Sequence, residues 1–159
     1  PNFRVKEFLM YMCSIKDIPQ KKAKEILPEI MEEVNLCDHM NKKIKELSGG
    51  MRQRVVIAIA LACEPNLIVA DEPTTALDAA MQVRVIRLLK KIVKETNTAL
   101  LLVSHNMGVI AAACDYVYVM KDGKMEDQGT REYILHETRN AYTRSLLGAV
   151  PSVGGERYV

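Results

Sequence analysis

Leu47-Ser48-Gly49-Gly50-Met51-Arg52-Gln53-Arg54 is the stretch on which the reading of this 159-residue chain turns. It stands where a polar connector gives way to residues 51–63, apolar on nearly every side, the pattern of a helix packed between other elements. A helix N-terminus leaves backbone N–H groups unpaired and carries partial positive charge. Glycines there let a ligand approach the backbone, and a serine hydroxyl adds a donor. The segment therefore reads as an anion site. A bare Ser-Gly-Gly would be explained as well by a capping serine followed by loose glycines; the full eight-residue string is far more specific.

Downstream, Leu67, Ile68, Val69 and Ala70 form a short continuous apolar run that ends at Asp71-Glu72. That is the profile of a central, buried parallel strand whose C-terminal end meets solvent. Val85, Leu88, Leu89 and Ile92 mark a following helix, and Ala99, Leu100, Leu101, Leu102 and Val103 a second buried strand. The crossover between the strands is long enough for a parallel pair, so an α/β layer is expected. Residues 116–120 and 124–128 flank Lys121-Asp122-Gly123, and an Asp-Gly pair favours a primed hairpin turn. Two antiparallel edge strands are expected there, then short closing helices at 133–136 and 142–147 and a frayed tail at 151–159.

Upstream, Val5, Phe8, Leu9, Met12 and Cys13 trace one helical stripe. Ala23, Ile26, Leu27, Ile30, Met31 and Val34 trace another, in which Pro28 predicts a kink or break. With the basic connector 41–45 they make an all-helical first third. Composition narrows the function classes only coarsely. Twenty-two basic and 20 acidic residues leave a net charge of +2, so no single-sign field points to nucleic acid or an anionic membrane as the main partner. Cys13, Cys37, Cys63 and Cys114 have no metal-ligand spacing and read as buried, reduced thiols of a cytosolic protein. No apolar run reaches the roughly 18 residues needed to span a bilayer. The first residue is Pro1, which reads as a piece of a longer polypeptide.

Three further positions carry chemistry. Asp71 and Glu72, adjacent acids at a strand exit, suit a hard cation and a water: Asp71 to hold Mg²⁺ and Glu72 to polarise the attacking water as general base. Acids followed by Pro73 and Thr74 are also common turn material. Asp78 suits the cap of a helix starting at Ala79, a role compatible with a functional contact. His105 follows the second strand at the sheet end where ligands gather in open α/β folds, and an imidazole there can hydrogen-bond a γ-phosphate, although a lone His is usually structural.

Taken together, LSGGMRQR, the apolar strand ending in DEP, the Ala76-Leu77-Asp78 turn and Ser104-His105 stand in the order and approximate spacing of ABC ATPases, a family this chain resembles over nearly its whole length. The resemblance implies a partial P-loop NTPase fold: a helical subdomain (1–46), the C-terminal part of the ATPase core (47–136) and an extension (137–159). It implies that Ser48, Gly49, Gly50 and Gln53 form the signature motif, Asp71 and Glu72 the Walker B site, Asp78 the D-loop and His105 the switch. Catalytic roles then fall to Glu72 and His105, magnesium to Asp71 through water, and ATP to the signature in trans. DEPTTALD, GTREYIL and the run from Asn140-Ala141-Tyr142 to Val150-Pro151 resemble the ATP-binding subunits of oligopeptide, dipeptide and nickel importers.

Those subunits imply a second ATP-binding subunit, identical or paralogous, transmembrane permease subunits and, indirectly, a solute-binding protein, at the cytoplasmic face of the membrane. Two departures qualify the likeness. No G-x-x-x-x-G-K-[S/T] occurs in the 159 residues, and Asn106 follows His105 where the family often has Asp. Without the phosphate cradle, the chain by itself is expected to be inactive. A soluble ABC-type ATPase of DNA repair or translation, and a non-catalytic interaction module, are the competing readings.

Overall fold

The structure, a computed structural model, describes residues 2–75 and 77–149. Pro1, Ala76 of the Ala76-Leu77-Asp78 turn and the expected tail at 151–159 lie outside the described residues. Among the described residues, six α-helices and four strands are ordered α1 (Val5–Ile15), α2 (Gln20–Glu33), α3 (Gly49–Leu61), β1 (Leu67–Asp71), α4 (Ala79–Thr96), β2 (Ala99–Val103), α5 (Met107–Ala113), β3 (Tyr116–Lys121), β4 (Lys124–Thr130) and α6 (Ala141–Gly148). Two 3₁₀ turns, Cys37–His39 and Ile44–Glu46, and a π-helical turn, Tyr133–Glu137, complete them. The chain divides into two compact units, residues 1–101 and 102–159.

In the first unit α1, α2 and α3 pack against one another and α3 also packs on α4. The stripes expected from the sequence supply the core: Val5 and Leu9 from α1, Ala23, Leu27 and Met31 from α2, Val85, Leu89 and Ile92 from α4, all buried. Of the kink or break expected at Pro28, the break does not occur: α2 runs unbroken through it. Proline in a helix interior costs about 3 kcal/mol. Leu27, Ile30 and Met31 on either side of it are buried, each contributing roughly 1.5–3 kcal/mol, so packing outweighs the lost backbone bond. In α3, Val55, Ile57, Ala58 and Leu61 are buried, whereas Val56 is 56% exposed, so the helix is less enclosed than its all-round apolar pattern implied.

β1 and β2 are hydrogen-bonded neighbours, and the unit is mixed α/β with a parallel sheet, as expected. Their burial departs from expectation. Ile68 is buried, yet Leu67, Val69, Leu101 and Val103 are about half exposed, so only one face of each strand is covered. Cys37 and Cys63 are likewise exposed rather than buried; Cys13 is buried, and burial first, then neighbouring Cys63, pushes its thiol pKa up. None of the four cysteines forms a disulfide among the described residues.

The second unit is built on the β3–β4 antiparallel hairpin, with a register shift after Val119. Asp122 and Gly123 turn it with φ of 49° and 74°, the two positive values that a type I′ turn needs. Val117 and Val119 point into a core with Met107, Ile110, Ile134 and Leu147. α5, which no sequence stripe announced, supplies two of those residues.

Candidate functional site

The first unit brings together two of the segments singled out above. Ser48 N-caps α3, its Oγ accepting from the Met51 N–H at 3.3 Å. Gly49 and Gly50 form the first turn of α3, and they lie against the segment that enters α4. A Cβ on Gly49 would sit 3.3 Å from Leu77 Cδ2, and one on Gly50 only 2.1 Å from Met81 Cε. The glycines therefore let the helix start and the Leu77–Asp78 segment approach closely, and the first-turn amides that an α-helix leaves without internal partners stay at that edge. Gln53 follows in the next turn, partly buried. Arg52 Nη1 donates to the Leu47 carbonyl at 2.7 Å and clamps the strand of chain leading into the turn.

Asp78 caps α4, its Oδ1 accepting from the Met81 N–H at 2.9 Å. The turn ahead of it is held from behind. Gln82 Nε2 donates to the carbonyls of Leu77 at 3.2 Å and Thr74 at 3.4 Å, and Thr74 is buried. Neither Gln82 nor Met81 was marked by the sequence, because a glutamine and a methionine one turn into an amphipathic helix have no pattern that separates backing residues from ordinary surface.

Asp71 ends β1 with its side chain exposed. Glu72 follows with φ of 45°, and its Oε2 accepts from Thr75 Oγ1 at 2.9 Å while its carbonyl accepts from the Thr75 N–H at 3.1 Å. Six non-glycine residues have positive φ among those described. Asp17, Asn35, Glu64 and Asn97 lie just past the ends of helices and Asp122 in the hairpin turn, where such a conformation is ordinary. Glu72 alone sits at a strand exit. A left-handed residue costs on the order of 1 kcal/mol, and strain of this kind concentrates at functional sites. The conformation fixes where the carboxylate leaves the strand.

Among the described residues no group of three or more His, Cys, Asp or Glu side chains gathers as a metal cage. Magnesium is ordinarily held by one or two carboxylates together with waters and substrate phosphates. Asp71, exposed at the strand end, offers such a carboxylate.

His105, in the second unit, is exposed and follows β2. Ser104 Oγ accepts from the Asn106 N–H at 3.2 Å, and Asn106 Oδ1 caps α5 by accepting from Gly108 N–H at 2.9 Å and Val109 N–H at 3.3 Å. The Asn that follows His105 thus serves as an N-cap, a role Asn and Asp fill about equally. At the far end of the same unit, Asp127 ties β4 to α6: its Oδ2 accepts from Thr138 Oγ1 at 2.5 Å and from buried Thr143 Oγ1 at 2.9 Å. Burial pulls the Asp127 carboxyl up, but those bonds and the Gln128 N–H outweigh it and hold its pKa below the usual value.

No helix among the described residues is long and apolar enough to cross a membrane. Residues 1–75 match the family described as ABC transporter. The chain is 44% identical over 143 residues to a probable D,D-dipeptide transport ATP-binding protein of Escherichia coli (strain K12), covering 88% of this chain and 44% of that protein. It is 41% identical over 139 residues to a dipeptide transport ATP-binding protein of Bacillus subtilis (strain 168), covering 86% and 42%. Against a solved structure, cbiO1 from Clostridium perfringens, part of the ABC transporter complex cbiONQ, the TM-score is 0.78 at 25% identity, over 86% of this chain and 55% of that one. The chain spans less than half the length of the curated relatives it matches.

Proposed function

Because the chain belongs to the ABC transporter family, we propose that it is part of the ATP-binding subunit of an importer for peptides or a related solute. In this reading residues 1–46 face the permease, residues 47–136 complete the ATPase core and residues 137–159 form an extension. The subunit pairs with a second ATP-binding subunit, identical or paralogous, and works at the cytoplasmic face of the membrane with permease subunits and, indirectly, a solute-binding protein.

Each residue's part follows from its chemistry. Ser48, Gly49, Gly50 and Gln53 offer a hydroxyl, unpaired amides and an amide side chain to the phosphates of ATP held by the partner subunit, at the positive end of α3. Asp78, beside them, both caps α4 and contributes to the contact between subunits. Asp71 would hold magnesium through water, and the bound ion would supply positive charge against the phosphate oxygens. Glu72 accepts the proton of the attacking water, and His105 donates to the γ-phosphate, orienting it for in-line attack.

The observation that carries the reading is the left-handed backbone of Glu72 at the exit of β1, directly after exposed Asp71. Packing gains nothing from adjacent acids in a strained exit; positioning a base does. The test is Glu72→Gln in the transporter that contains this chain. Hydrolysis should fall by about 10²–10⁴ while ATP binding persists; turnover equal to that of the parent removes Glu72 from the role. A second expectation concerns the chain by itself. No phosphate-cradling G-x-x-x-x-G-K-[S/T] is among its 159 residues, and that loop supplies the lysine and backbone nest for the β and γ phosphates. The purified chain should show no ATP turnover. Measurable hydrolysis that Glu72→Gln abolishes would overturn this.

A further inference from the structure

Glu72 leaves β1 with a left-handed backbone, which sets the direction of its Cα–Cβ bond and nothing beyond it. Several side-chain torsions separate that bond from the carboxylate, and a half-exposed glutamate ordinarily spreads over many rotamers. A base that must meet one water needs more. A displacement of about 1 Å at a reacting centre can cost on the order of a hundredfold in rate.

The turn after Glu72 supplies the further constraint. Thr75 Oγ1 donates to Glu72 Oε2 at 2.9 Å, and the Thr75 N–H donates to the Glu72 carbonyl at 3.1 Å. The same pair is thus joined backbone to backbone and side chain to side chain, which references the carboxylate to the turn instead of to its own torsions. The turn is braced in its own right. Pro73 and Thr74 at its centre are buried, and the fixed φ of proline suits the second position of a four-residue turn. The Thr74 carbonyl accepts from the Leu77 N–H at 3.2 Å and from Gln82 Nε2 at 3.4 Å, so α4 backs the turn. Threonine is β-branched and stiff at χ1, which holds its hydroxyl where the backbone puts it.

We propose that Thr75 is a positioning residue for hydrolysis, its hydroxyl setting the Glu72 carboxylate for the water that Glu72 deprotonates. The inference rests on the reading of Glu72 as general base. Threonine is ordinary turn material, and water can satisfy an exposed hydroxyl almost as well as a protein partner can. Thr75 is exposed, so packing does not account for the orientation of its hydroxyl toward the carboxylate.

The test is ATP hydrolysis by the transporter that contains this chain, with Thr75→Val, Thr75→Ala, Thr75→Ser and Glu72→Gln compared. Val keeps the shape and loses the hydroxyl, Ala loses both, and Ser keeps the hydroxyl. Thr75→Val and Thr75→Ala should each lower kcat roughly ten- to a hundredfold with the KM for ATP unchanged. Thr75→Ser should recover most of the lost rate. Added to Glu72→Gln, Thr75→Val should lower turnover no further, because a group that acts through the carboxylate then has nothing left to position. Melting temperatures establish that the variants keep the fold, and Ala stands in should Val disturb it. Parental kcat in Thr75→Val and Thr75→Ala, with Glu72→Gln silent, would remove Thr75 and leave the base assignment standing. Unchanged turnover in Glu72→Gln would remove the base and this inference with it. A rise in KM at constant kcat, a loss that serine does not restore, or a further drop in the double variant would each overturn the proposal.

Discussion

Asp78 and Ser48 illustrate how one side chain serves fold and function at once. Each accepts a hydrogen bond from the third residue onward, Met81 and Met51 respectively, so each satisfies an amide that its helix cannot pair. The Asp78 bond is the shorter, 2.9 Å against 3.3 Å, and carries an ionised acceptor at the positive end of α4. Asp78→Ala should therefore cost about 1 kcal/mol of stability and Asp78→Asn only a few tenths, because asparagine caps as well as aspartate. Urea unfolding of the two variants decides it. Equal midpoints for Ala and parent would mean that the cap contributes nothing and that Asp78 is present for its contact alone. The dual role was readable in the sequence as two compatible explanations; the geometry adds that the cap is actually made.

At the scale of elements, a part-buried polar junction ties the hairpin of the second unit to α6. Asp127 on β4 receives hydroxyls from Thr138 and Thr143, and Asn140 caps α6 while its Nδ2 donates to the Glu126 carbonyl at 2.8 Å. Because the folded-state pKa of Asp127 is depressed, its stabilising contribution is fully present above the unfolded value of about 4 and is lost as pH falls through the folded value. The melting temperature should decline with acid below about pH 4, and the Asp127→Asn variant should show a shallower decline over that range from a lower starting point. Parallel curves for variant and parent would remove Asp127 from the acid response. Sequence patterns announced the hairpin and the helix after it, since Asp-Gly turns and helical stripes are local signals. They did not announce the junction, which joins residues 11 and 16 positions apart by geometry alone. α5 escaped for a related reason: Met107, Val109 and Ile110 are buried, but seven residues are too few for a periodicity to emerge. The candidate site divides the same way. Ser48, Asp71, Glu72 and Asp78 were legible from residue type at element boundaries, whereas Met81 behind Gly50 and Gln82 behind the turn were set by tertiary packing.

For the molecule as a whole, the instructive mismatch is the β1–β2 pair. Continuous apolar strands such as Leu67 to Ala70 are written for burial on both faces. Here Leu67, Val69 and Leu101 are 52%, 60% and 50% exposed. Fully burying a side chain of this size is worth roughly 1.5–3 kcal/mol, so three half-exposed residues forgo several kcal/mol that a covering layer would recover. A two-stranded sheet also presents unpaired backbone at both edges, a template for pairing with another chain. Apolar surface and open edges together predict concentration-dependent self-association of the chain in solution. Light scattering behind a sizing column should show the mean mass rising with load, and Val69→Lys, which places a charge at the centre of the bare face, should suppress the rise. The substitution removes little core packing because Val69 is mostly in solvent, so the variant should melt within about 0.5 kcal/mol of the parent, the range for surface changes. Monodisperse monomer at every load would mean that the face is covered by other means; association unchanged in Val69→Lys would shift the contact from the sheet face to its edges.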